Sequence, residues 1–449
     1  MAKPSVERAP KFDLATFDYA EVQPFMSQYN ETDEKGRYLH WNLLKWRVPQ
    51  KDAKKIWSVV KFKRAMAAKY IQIADEKGDI FSYTIPHSME AKLHQVIKIA
   101  GGSVGAVADN VASDNIQRKF LVSSLIMEEA ITSAQLEGAS TTREVAKKML
   151  EDEREPVNED ERMILNNYFL LRHAERVKKS ELTIDLILEF HRIATMNTSE
   201  NNVIPGEFRC DNDIYVEDDR GDVAHQPPCY KVIPERLQLL CDFANEEHNG
   251  LDGGVFIPPV IKAIILHFMI GYEHPFRDGN GRTARALFYW FMLKHDYELF
   301  KYVSISKLLK DDPKGYGLSY MYTEKDQNDL TYFIDFQLDI ILAAFDELQQ
   351  YLKMKTDEFY QVVDLLDNSK FKSLNFVQKD ILKKATKEPG RIFTVKEVAN
   401  SYVISDNTAR TYLNYLVKNK LLLQTKDGRT TLYLSPSDLR SRLTSGKNV

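Results

Sequence analysis

The chain has 449 residues, of which 43% are hydrophobic and 28% are charged, and its formal net charge is −4. This composition is typical of a globular protein and argues against a fibrous, disordered or membrane-embedded chain. The length allows two or three domains. Three cysteines without metal-ligand spacing, Cys210, Cys229 and Cys241, fit a reducing compartment. The first residues lack the apolar core of a signal peptide and no apolar run is long enough to span a bilayer, so we expect a cytoplasmic protein without a membrane segment.

Residues 1–102 are expected to form an N-terminal helical region, with one helix from Gln50 to Asp75. His40, Trp41 and Trp46 are interpreted as packing or interface residues. A Gly101-Gly102-Ser103 sequence favours a hinge at the end of this region.

The second predicted region covers residues 103–355 and opens with a helix-like run from Leu121 to Glu137. Ser133 and Glu137 are four residues apart and therefore share one face of this helix. Amphipathic segments at 142–154, 159–178 and 183–195 follow. Taken alone, Glu137 also fits a solvated carboxylate on a surface helix.

The pattern changes to β after residue 202. Ile214, Tyr215 and Val216 precede an acidic turn at residues 218–222, and Val223 to His225 follow it. We therefore predict a hairpin at about residues 208–228, which taken alone also fits an ordinary surface hairpin. His225 is interpreted as a structural histidine.

The most informative stretch runs from His274 to Arg285 and reads H-P-F-R-D-G-N-G-R-T-A-R. Apolar segments with helical spacing flank it, which predicts a helix, a tight loop and a second helix. Gly279 and Gly281 permit a close backbone approach, and the amides that open the second helix are unpaired donors at the positive end of its dipole. The loop therefore predicts a phosphate-binding site, although a bare Gly-Asn-Gly also fits an ordinary turn at a helix start.

The same loop carries the side chains needed to move a phosphate-bearing group. His274 can accept a proton, and Asp278 can hold Mg²⁺. Asn280 supplies an amide donor. Arg282 and Arg285 lie three residues apart on one helix face. Such a transfer requires mainly positioning and charge neutralisation.

At every defining position this stretch resembles the signature of the Fic family, H-x-F-x-D/E-G-N-G-R-x-x-R. Fic proteins mostly transfer AMP from ATP to a hydroxyl side chain of a protein target and release pyrophosphate. The resemblance implies that His274 deprotonates a Tyr, Ser or Thr hydroxyl and that Phe276 anchors the loop in the core. A relative with Lys near the second glycine transfers phosphate instead, so Gly281 favours the AMP-transferring branch.

The resemblance also assigns the phosphate and metal contacts. Gly279, Asn280 and Gly281 would form the anion hole, with Asn280 at the α-phosphate, where charge builds up. Arg282 would hold the β-phosphate and Arg285 the γ-phosphate. Asp278 would bind Mg²⁺ between the α- and β-phosphates, so ATP and Mg²⁺ are the implied cofactors.

Two further segments resemble parts of the same family. Ser133 to Gly138 resembles the inhibitory motif S/T-x-x-x-E-G/N, whose glutamate pairs with the second arginine of the signature and occupies the place of the γ-phosphate. This implies autoinhibition by a helix at about residues 121–138, with Glu137 on Arg285. The predicted hairpin resembles the flap, which aligns the target by main-chain pairing and gives this role to residues 214–216.

After the signature, Tyr316, Tyr320 and Tyr322 fall where the family borders the nucleotide base, and both adenine contact and core packing remain open for them. His267 is interpreted as a core histidine. A long amphipathic helix from Leu330 to Leu352 closes this region.

The last 79 residues differ in charge from the rest of the chain. From Phe371 onward, 15 Lys and Arg against 6 Asp and Glu give +9, so the remainder carries −13. A capping box at 394–397, a second helix from residue 406 and a hairpin about residues 426–429 resemble a winged helix-turn-helix over residues 371–440. Residues suited to base edges or phosphates are Asn407, Thr408, Arg410, Thr411, Asn414, Lys426 and Arg429. DNA binding and protein binding both remain open.

Together these patterns predict a mainly α fold, with a Fic helical core, a β-hairpin flap and a C-terminal winged helix. The predicted activity is an ATP- and Mg²⁺-dependent protein adenylyltransferase restrained by Glu137. Two alternatives remain open: removal of AMP at the same site, and a DNA-binding regulator that senses ATP without turnover. The protein target stays open, with the chain itself as one candidate, and so does the formation of homo-oligomers.

Overall fold

The structure, a computed structural model, describes residues 6–101, 127–218, 220–367, 373–388, 390–427 and 430–444. The helices, numbered in chain order, are α1 (Tyr19–Met26), α2 (Trp41–Leu44), α3 (Ala53–Ala67), α4 (His87–Ala100), α5 (127–136), α6 (Arg143–Glu151), α7 (Glu159–Arg176), α8 (Ile184–Thr195), α9 (Ile233–Asn245), α10 (Pro259–Glu273), α11 (Asn280–Lys294), α12 (Ile305–Asp311), α13 (Pro313–Lys325), α14 (Thr331–Asp367), α15 (Phe376–Lys387), α16 (Val395–Tyr402), α17 (Asp406–Lys418) and α18 (Leu439–Thr444). The strands form three small antiparallel sheets: β1 (Lys69–Ala74) with β2 (Ile80–Tyr83), β3 (Val216–Glu217) with β4 (Val223–His225), and β5 (Ile392–Thr394), β6 (Leu423–Asp427) and β7 (Thr430–Leu434) in the order β5-β7-β6. The predicted mainly α class is confirmed.

The main core is built around α10 and α11. Both helices are apolar on most sides and buried along nearly their whole length, as expected for central helices. Pro259 starts α10, where its missing N–H costs nothing. Because both helices are fixed in the core, the short loop that joins them is held at both ends.

The N-terminal region has its own core around Ile56 and Trp57. The predicted helix from Gln50 to Asp75 is wrong in its second half, since α3 ends at Ala67 and β1 begins at Lys69. The alternation of exposed side chains with buried Ile71 and Ile73 is the period of a strand and outweighs the helical pattern before it.

A polar cluster joins this region to the rest of the chain. Lys61 Nζ lies 2.9 Å from Asp326 Oδ1, and Arg64 Nη1 donates to the Tyr332 hydroxyl at 2.8 Å. The His40 ring stacks on Tyr322 with ring centroids 4.4 Å apart.

Helices α5, α6 and α7 share a small apolar core of their own. Met127 and Ile131 of α5 pack with Ala146 and Met149 of α6 and with Met163 of α7. Residues 121–126, the first part of the predicted inhibitory helix, lie outside the described residues. The predicted inhibitory motif therefore packs on α6 and α7 through this small core, while Leu136 packs against the main core.

The C-terminal module has its elements in the order predicted from the sequence. Its core lies between α15, α16, α17 and the three-stranded sheet. A capping box formed by Thr394 and Glu397 starts α16. On α16, Asn400 Nδ2 donates to the carbonyl of Glu151 at the end of α6, at 3.1 Å. Arg429, predicted on the wing, lies outside the described residues.

Candidate active site

His274 caps α10 with left-handed backbone angles, φ 44° and ψ 56°. Its Nδ1 lies 3.4 Å from the carbonyl oxygen of Gly271. A carbonyl only accepts hydrogen bonds, so Nδ1 carries the proton and Nε2 keeps a free lone pair. Burial lowers the pKa of His274 to about 4. The imidazole is therefore neutral near pH 7 and able to take a proton.

Arg209 holds the backbone at His274. Its Nε donates to the His274 carbonyl at 2.9 Å, and its own N–H donates to the Pro275 carbonyl at 2.9 Å. The same guanidinium also bonds the carbonyl of Pro228. This buried side chain fixes the left-handed turn, and no sequence pattern predicts this role for it.

The signature loop is anchored from inside by Phe276 and His191. Phe276 is fully buried, and its ring stacks on the ring of His191 with centroids 3.7 Å apart. His191 Nδ1 accepts from the Gly206 N–H and its Nε2 donates to the Asp278 carbonyl, both at 3.0 Å. Burial lowers the pKa of His191 to about 4, which preserves this neutral tautomer. His191 was missed because it lies in an ordinary amphipathic pattern.

Asn280 braces the loop. Its Oδ1 accepts from the Phe276 N–H at 3.0 Å, and its Nδ2 donates to the Phe276 carbonyl at 2.8 Å. Gly279 has φ 79°, and a Cβ there would lie 2.7 Å from Thr195 Cγ2. No side chain caps α11 in the described residues, so its first amides remain available to an anion.

Arg282 and Asp278 form an ion pair at the start of α11. Arg282 Nη2 lies 2.6 Å from Asp278 Oδ2, and Nη1 donates to the Ala194 carbonyl at 2.9 Å. The Nε of Arg282 is buried without a hydrogen-bond partner among the described residues. An unsatisfied charged donor of this kind suits an added anion.

Arg285 is bound by the predicted inhibitory segment. Its Nη2 lies 2.8 Å from Glu137 Oε1, and its Nε donates to Ser133 Oγ at 3.0 Å. Burial raises the pKa of Glu137, but the positive charges of Arg285 and then Arg282 together lower it by more. The pKa is therefore below its ordinary value, and the carboxylate is charged near neutral pH. A Cβ at Gly281 would lie 2.2 Å from Glu137 Oε1, which explains the glycine. Gly138 ends the segment with φ 105°, which a glycine adopts without strain.

The predicted hairpin is present as β3 and β4, with shorter strands than expected. Ile214 and Tyr215 precede β3, which starts at Val216, and Tyr215 is 49% exposed. Val216 pairs with His225 across the hairpin. The first strand was predicted two residues too early because the backbone turns at residues 211–213, where Asp211 also pairs with Arg277.

His225 ties the flap to the core. Its Nδ1 lies 2.8 Å from Glu324 Oε2, and its Nε2 lies 2.7 Å from the Tyr272 carbonyl oxygen. Both partners are acceptors, which matches a protonated ring. Burial lowers the pKa of His225, but Glu324 outweighs this and raises it above the ordinary value. The histidine therefore clamps the end of β4 to the carbonyl of Tyr272, which precedes His274 by two residues in the chain.

The three tyrosines after the signature lie on α13 and pack inward. The hydroxyl of Tyr316 lies 2.9 Å from His267 Nε2, and a Cβ at Gly271 would lie 2.3 Å from the Tyr320 hydroxyl. Tyr322 packs on the N-terminal region instead. All three therefore make packing contacts, and Tyr316 and Tyr320 also lie near Arg285.

Among the residues that the structure describes, no group of three or more His, Cys, Asp or Glu is arranged to hold a metal ion. None of the helices in the described ranges combines the length and apolarity that a membrane crossing needs.

Comparison with known proteins gives matches to the segment that carries the signature loop. A model of the Fic/DOC family matches residues 181–292, which run from the start of α8 to the end of α11. The chain is 31% identical over 186 residues to the protein adenylyltransferase Fic of Drosophila willistoni, which covers 40% of this chain and 34% of that protein. The corresponding protein of Drosophila ananassae is 33% identical over 125 residues, 28% of this chain and 22% of that one. The chain thus spans about a third or less of the curated relatives it matches.

A solved structure supports the fold. The crystal structure of a Fic family protein from Desulfovibrio desulfuricans G20 aligns with a TM-score of 0.50, covering 78% of this chain and 97% of that one at 17% identity. At this identity the likeness shows the fold alone. The described architecture therefore contains a Fic fold, and residues 181–292 match the Fic/DOC family.

Proposed function

We propose that this protein transfers AMP from ATP to a hydroxyl side chain of a protein target. One observation carries the proposal: a single short loop holds a neutral imidazole, an uncapped helix N-terminus and two buried guanidiniums. Curated relatives of the matching segment are named adenylyltransferases, which supports the same chemistry and the use of ATP.

The proposed step is an in-line displacement at the α-phosphorus. The target hydroxyl oxygen forms a bond to phosphorus while the bond to the bridging oxygen of the β-phosphate breaks, and pyrophosphate leaves with that electron pair. His274 Nε2 receives the hydroxyl proton. The α11 amides of Asn280 and Gly281 and the guanidinium of Arg282 neutralise the charge on the phosphates. The Asn280 side chain contributes by holding the loop in shape, because both its polar atoms bond Phe276.

The donor set fits a magnesium ion bound together with substrate. Asp278 offers one half-buried carboxylate, and the described residues supply no complete protein cage. Mg²⁺ in nucleotide sites is commonly held by one or two carboxylates plus phosphate oxygens. Asp278 would hold it, and the ion would supply charge neutralisation at the phosphates.

The proposed control is autoinhibition by Glu137. Its carboxylate pairs with Arg285, with Oε1 2.8 Å from Nη2. An ATP γ-phosphate that binds the same guanidinium would have to displace this carboxylate. Ser133 adds two hydrogen bonds to the same guanidinium, through Oγ and through its carbonyl. The flap residues Ile214, Tyr215 and Val216 would align the target chain beside His274 by main-chain pairing.

The test is AMP transfer from α-labelled ATP to protein by the wild type, Glu137→Gly and His274→Ala. Freeing Arg285 is expected to raise transfer about ten- to a hundred-fold. Losing the base in the Glu137→Gly background is expected to lower it about 10²- to 10⁴-fold while ATP binding remains. Equal loss of ATP binding in His274→Ala, or no gain in Glu137→Gly, would contradict the assigned roles. Release of AMP from a modified protein without net transfer would favour AMP removal at the same site.

A second candidate function, duplex DNA binding, is favoured by the exposed face of α17. Arg410 and Lys418 on α17 and Lys426 on β6 are exposed and make no hydrogen bond or ion pair with any described residue. Asn407 and Thr411 share the face, and α16 lies against α6 on another side of the module. Free cations beside amides are the groups that contact phosphates and base edges.

The matched test compares Arg410→Gln with Lys353→Gln, which removes the same charge from an exposed site on α14. With a fluorescent DNA duplex, Arg410→Gln is expected to weaken binding and to reduce the slope of log affinity against log salt by about one. Equal effects of both variants, or no DNA binding at low salt, would assign the module to protein partners.

A further inference from the structure

Helix α5 has an apolar face and a polar face. The apolar face packs with α6 and α7 in their separate small core. The polar face carries Glu129 and Ser133, four residues apart, and Glu137 follows directly after the last residue of the helix, another four residues on. Leu136, at the end of α5, packs against the main core, and the polar side chains add hydrogen bonds and an ion pair to this contact.

The carboxylate of Glu129 is the most deeply buried of these groups. It is 3% exposed and accepts three hydrogen bonds from the segment that opens α12. Ser306 Oγ donates to Oε1 at 2.5 Å, while the Ser306 N–H at 3.2 Å and Ser304 Oγ at 2.8 Å donate to Oε2. The Thr132 hydroxyl lies 2.9 Å from Ser304 Oγ and extends the same contact.

Burial raises the pKa of Glu129 above its ordinary value, and these donors and the nearby Arg285 offset only part of that rise. Removal of this carboxylate would leave buried hydroxyl and amide donors unpaired, which is costly in a protein interior. The hydrogen bonds of Glu129 therefore favour one position of α5 on the core. In that position Glu137, eight residues after Glu129, pairs with Arg285.

We propose that Glu129 is a positioning residue that locks α5 onto the start of α12 and thereby keeps Glu137 on Arg285. This inference rests on the proposed inhibitory role of Glu137. Without the lock, α5 would leave this position more often, and the γ-phosphate would reach Arg285 more easily. Glu129 does not touch the substrate in this account.

The test measures AMP transfer and nucleotide affinity in Glu129→Ala and Ser306→Ala. Glu129→Ala is expected to raise transfer about ten-fold, and Ser306→Ala, which removes one donor, less. Affinity for ATP should rise, and affinity for ADP, which has no γ-phosphate, should not. The matched control is Glu128→Gln, because Glu128 pairs with Arg143 inside the α5–α6 unit and should leave both readings unchanged.

The same variants in a Glu137→Gly background separate the two proposals. There Glu129→Ala should give no further gain, because the inhibitory carboxylate is already absent. A gain of equal size in both backgrounds, or no gain in wild type from either Glu129→Ala or Ser306→Ala, would overturn the positioning role. If Glu137→Gly itself gives no gain, the proposal of autoinhibition is contradicted. Amide exchange of residues 127–136 then tests the positioning role of Glu129 separately. Faster exchange in Glu129→Ala would support it, and unchanged exchange would overturn it.

Discussion

The environment of His274 sets the protonation state of the proposed base. Burial lowers its pKa to about 4, well below the ordinary value near 6.5. Only the neutral ring can accept a proton, so lowering the pKa widens the pH range in which the base is active.

This shift predicts a flat acid side in the pH profile. Measured in Glu137→Gly at saturating ATP, the pseudo-first-order rate of AMP transfer should change little between about pH 8 and pH 5.5 and fall only as the pH approaches the low pKa. Pre-incubation at each pH followed by assay at pH 7 controls for unfolding. A reversible half-loss near pH 6.5 would show an unshifted histidine and contradict the buried, neutral base.

At the site, the sequence predicts the residues of the signature loop but not the residues that hold its backbone. The signature gave the identity of His274, Asp278 and the two arginines, because their spacing within one loop carries the information. His191 and Arg209 were missed since each acts on backbone atoms of the loop from more than 60 residues away. A histidine in an amphipathic pattern and an arginine before a hairpin carry no local sign of such a contact.

At the scale of elements, the flap is fixed by the clamp between His225 and Glu324. The raised pKa of His225 means that the clamp stabilises the fold fully below the unfolded value of about 6.5. This contribution is lost as the pH rises through the higher folded pKa. The hairpin itself was visible in the sequence, but its clamp joins β4 to α13 across 99 residues and was not.

We predict that Glu324→Gln loosens the flap. Removing one partner of a buried ion pair should lower the free energy of unfolding by about 3 kcal/mol below pH 6.5, and the pH dependence between the two pKa values should disappear. Urea unfolding at several pH values and amide exchange of residues 223–225 measure both effects. Glu90→Gln is the control, since the His87–Glu90 pair is exposed. Equal behaviour of the two variants would show that the clamp does not stabilise the flap.

At the scale of the whole molecule, the chain has separate hydrophobic cores. The main core and the core of the C-terminal module share no residues, and all four tryptophans lie outside that module, at Trp41, Trp46, Trp57 and Trp290. The charge asymmetry indicated a separate module from the sequence. How it lies against α6 was not predictable, because the contact is made by pairs far apart in the chain, Asn400 with the Glu151 carbonyl and Lys396 with Glu153.

Because the C-terminal core shares no residues with the main core, we predict that the C-terminal module unfolds in a transition of its own. Leu413→Ala, in the C-terminal core, should destabilise that module by about 2–5 kcal/mol, moving part of the far-ultraviolet circular dichroism transition while the tryptophan fluorescence transition stays in place. Leu338→Ala, equally buried in the main core, should move the fluorescence transition. A single shared transition that shifts with either variant would show that the chain unfolds as one unit.

The proposed activity is the transfer of AMP from ATP to a protein, and Glu137 is proposed to inhibit this transfer. The most direct measurement incubates the wild type and Glu137→Gly with ATP labelled at either the α- or the γ-phosphate, with and without a lysate as a source of target. We predict protein-bound label from α-labelled ATP only, and more of this label with Glu137→Gly than with the wild type. Label from γ-labelled ATP would show phosphate transfer, and no protein-bound label from either nucleotide in Glu137→Gly would contradict the proposed activity.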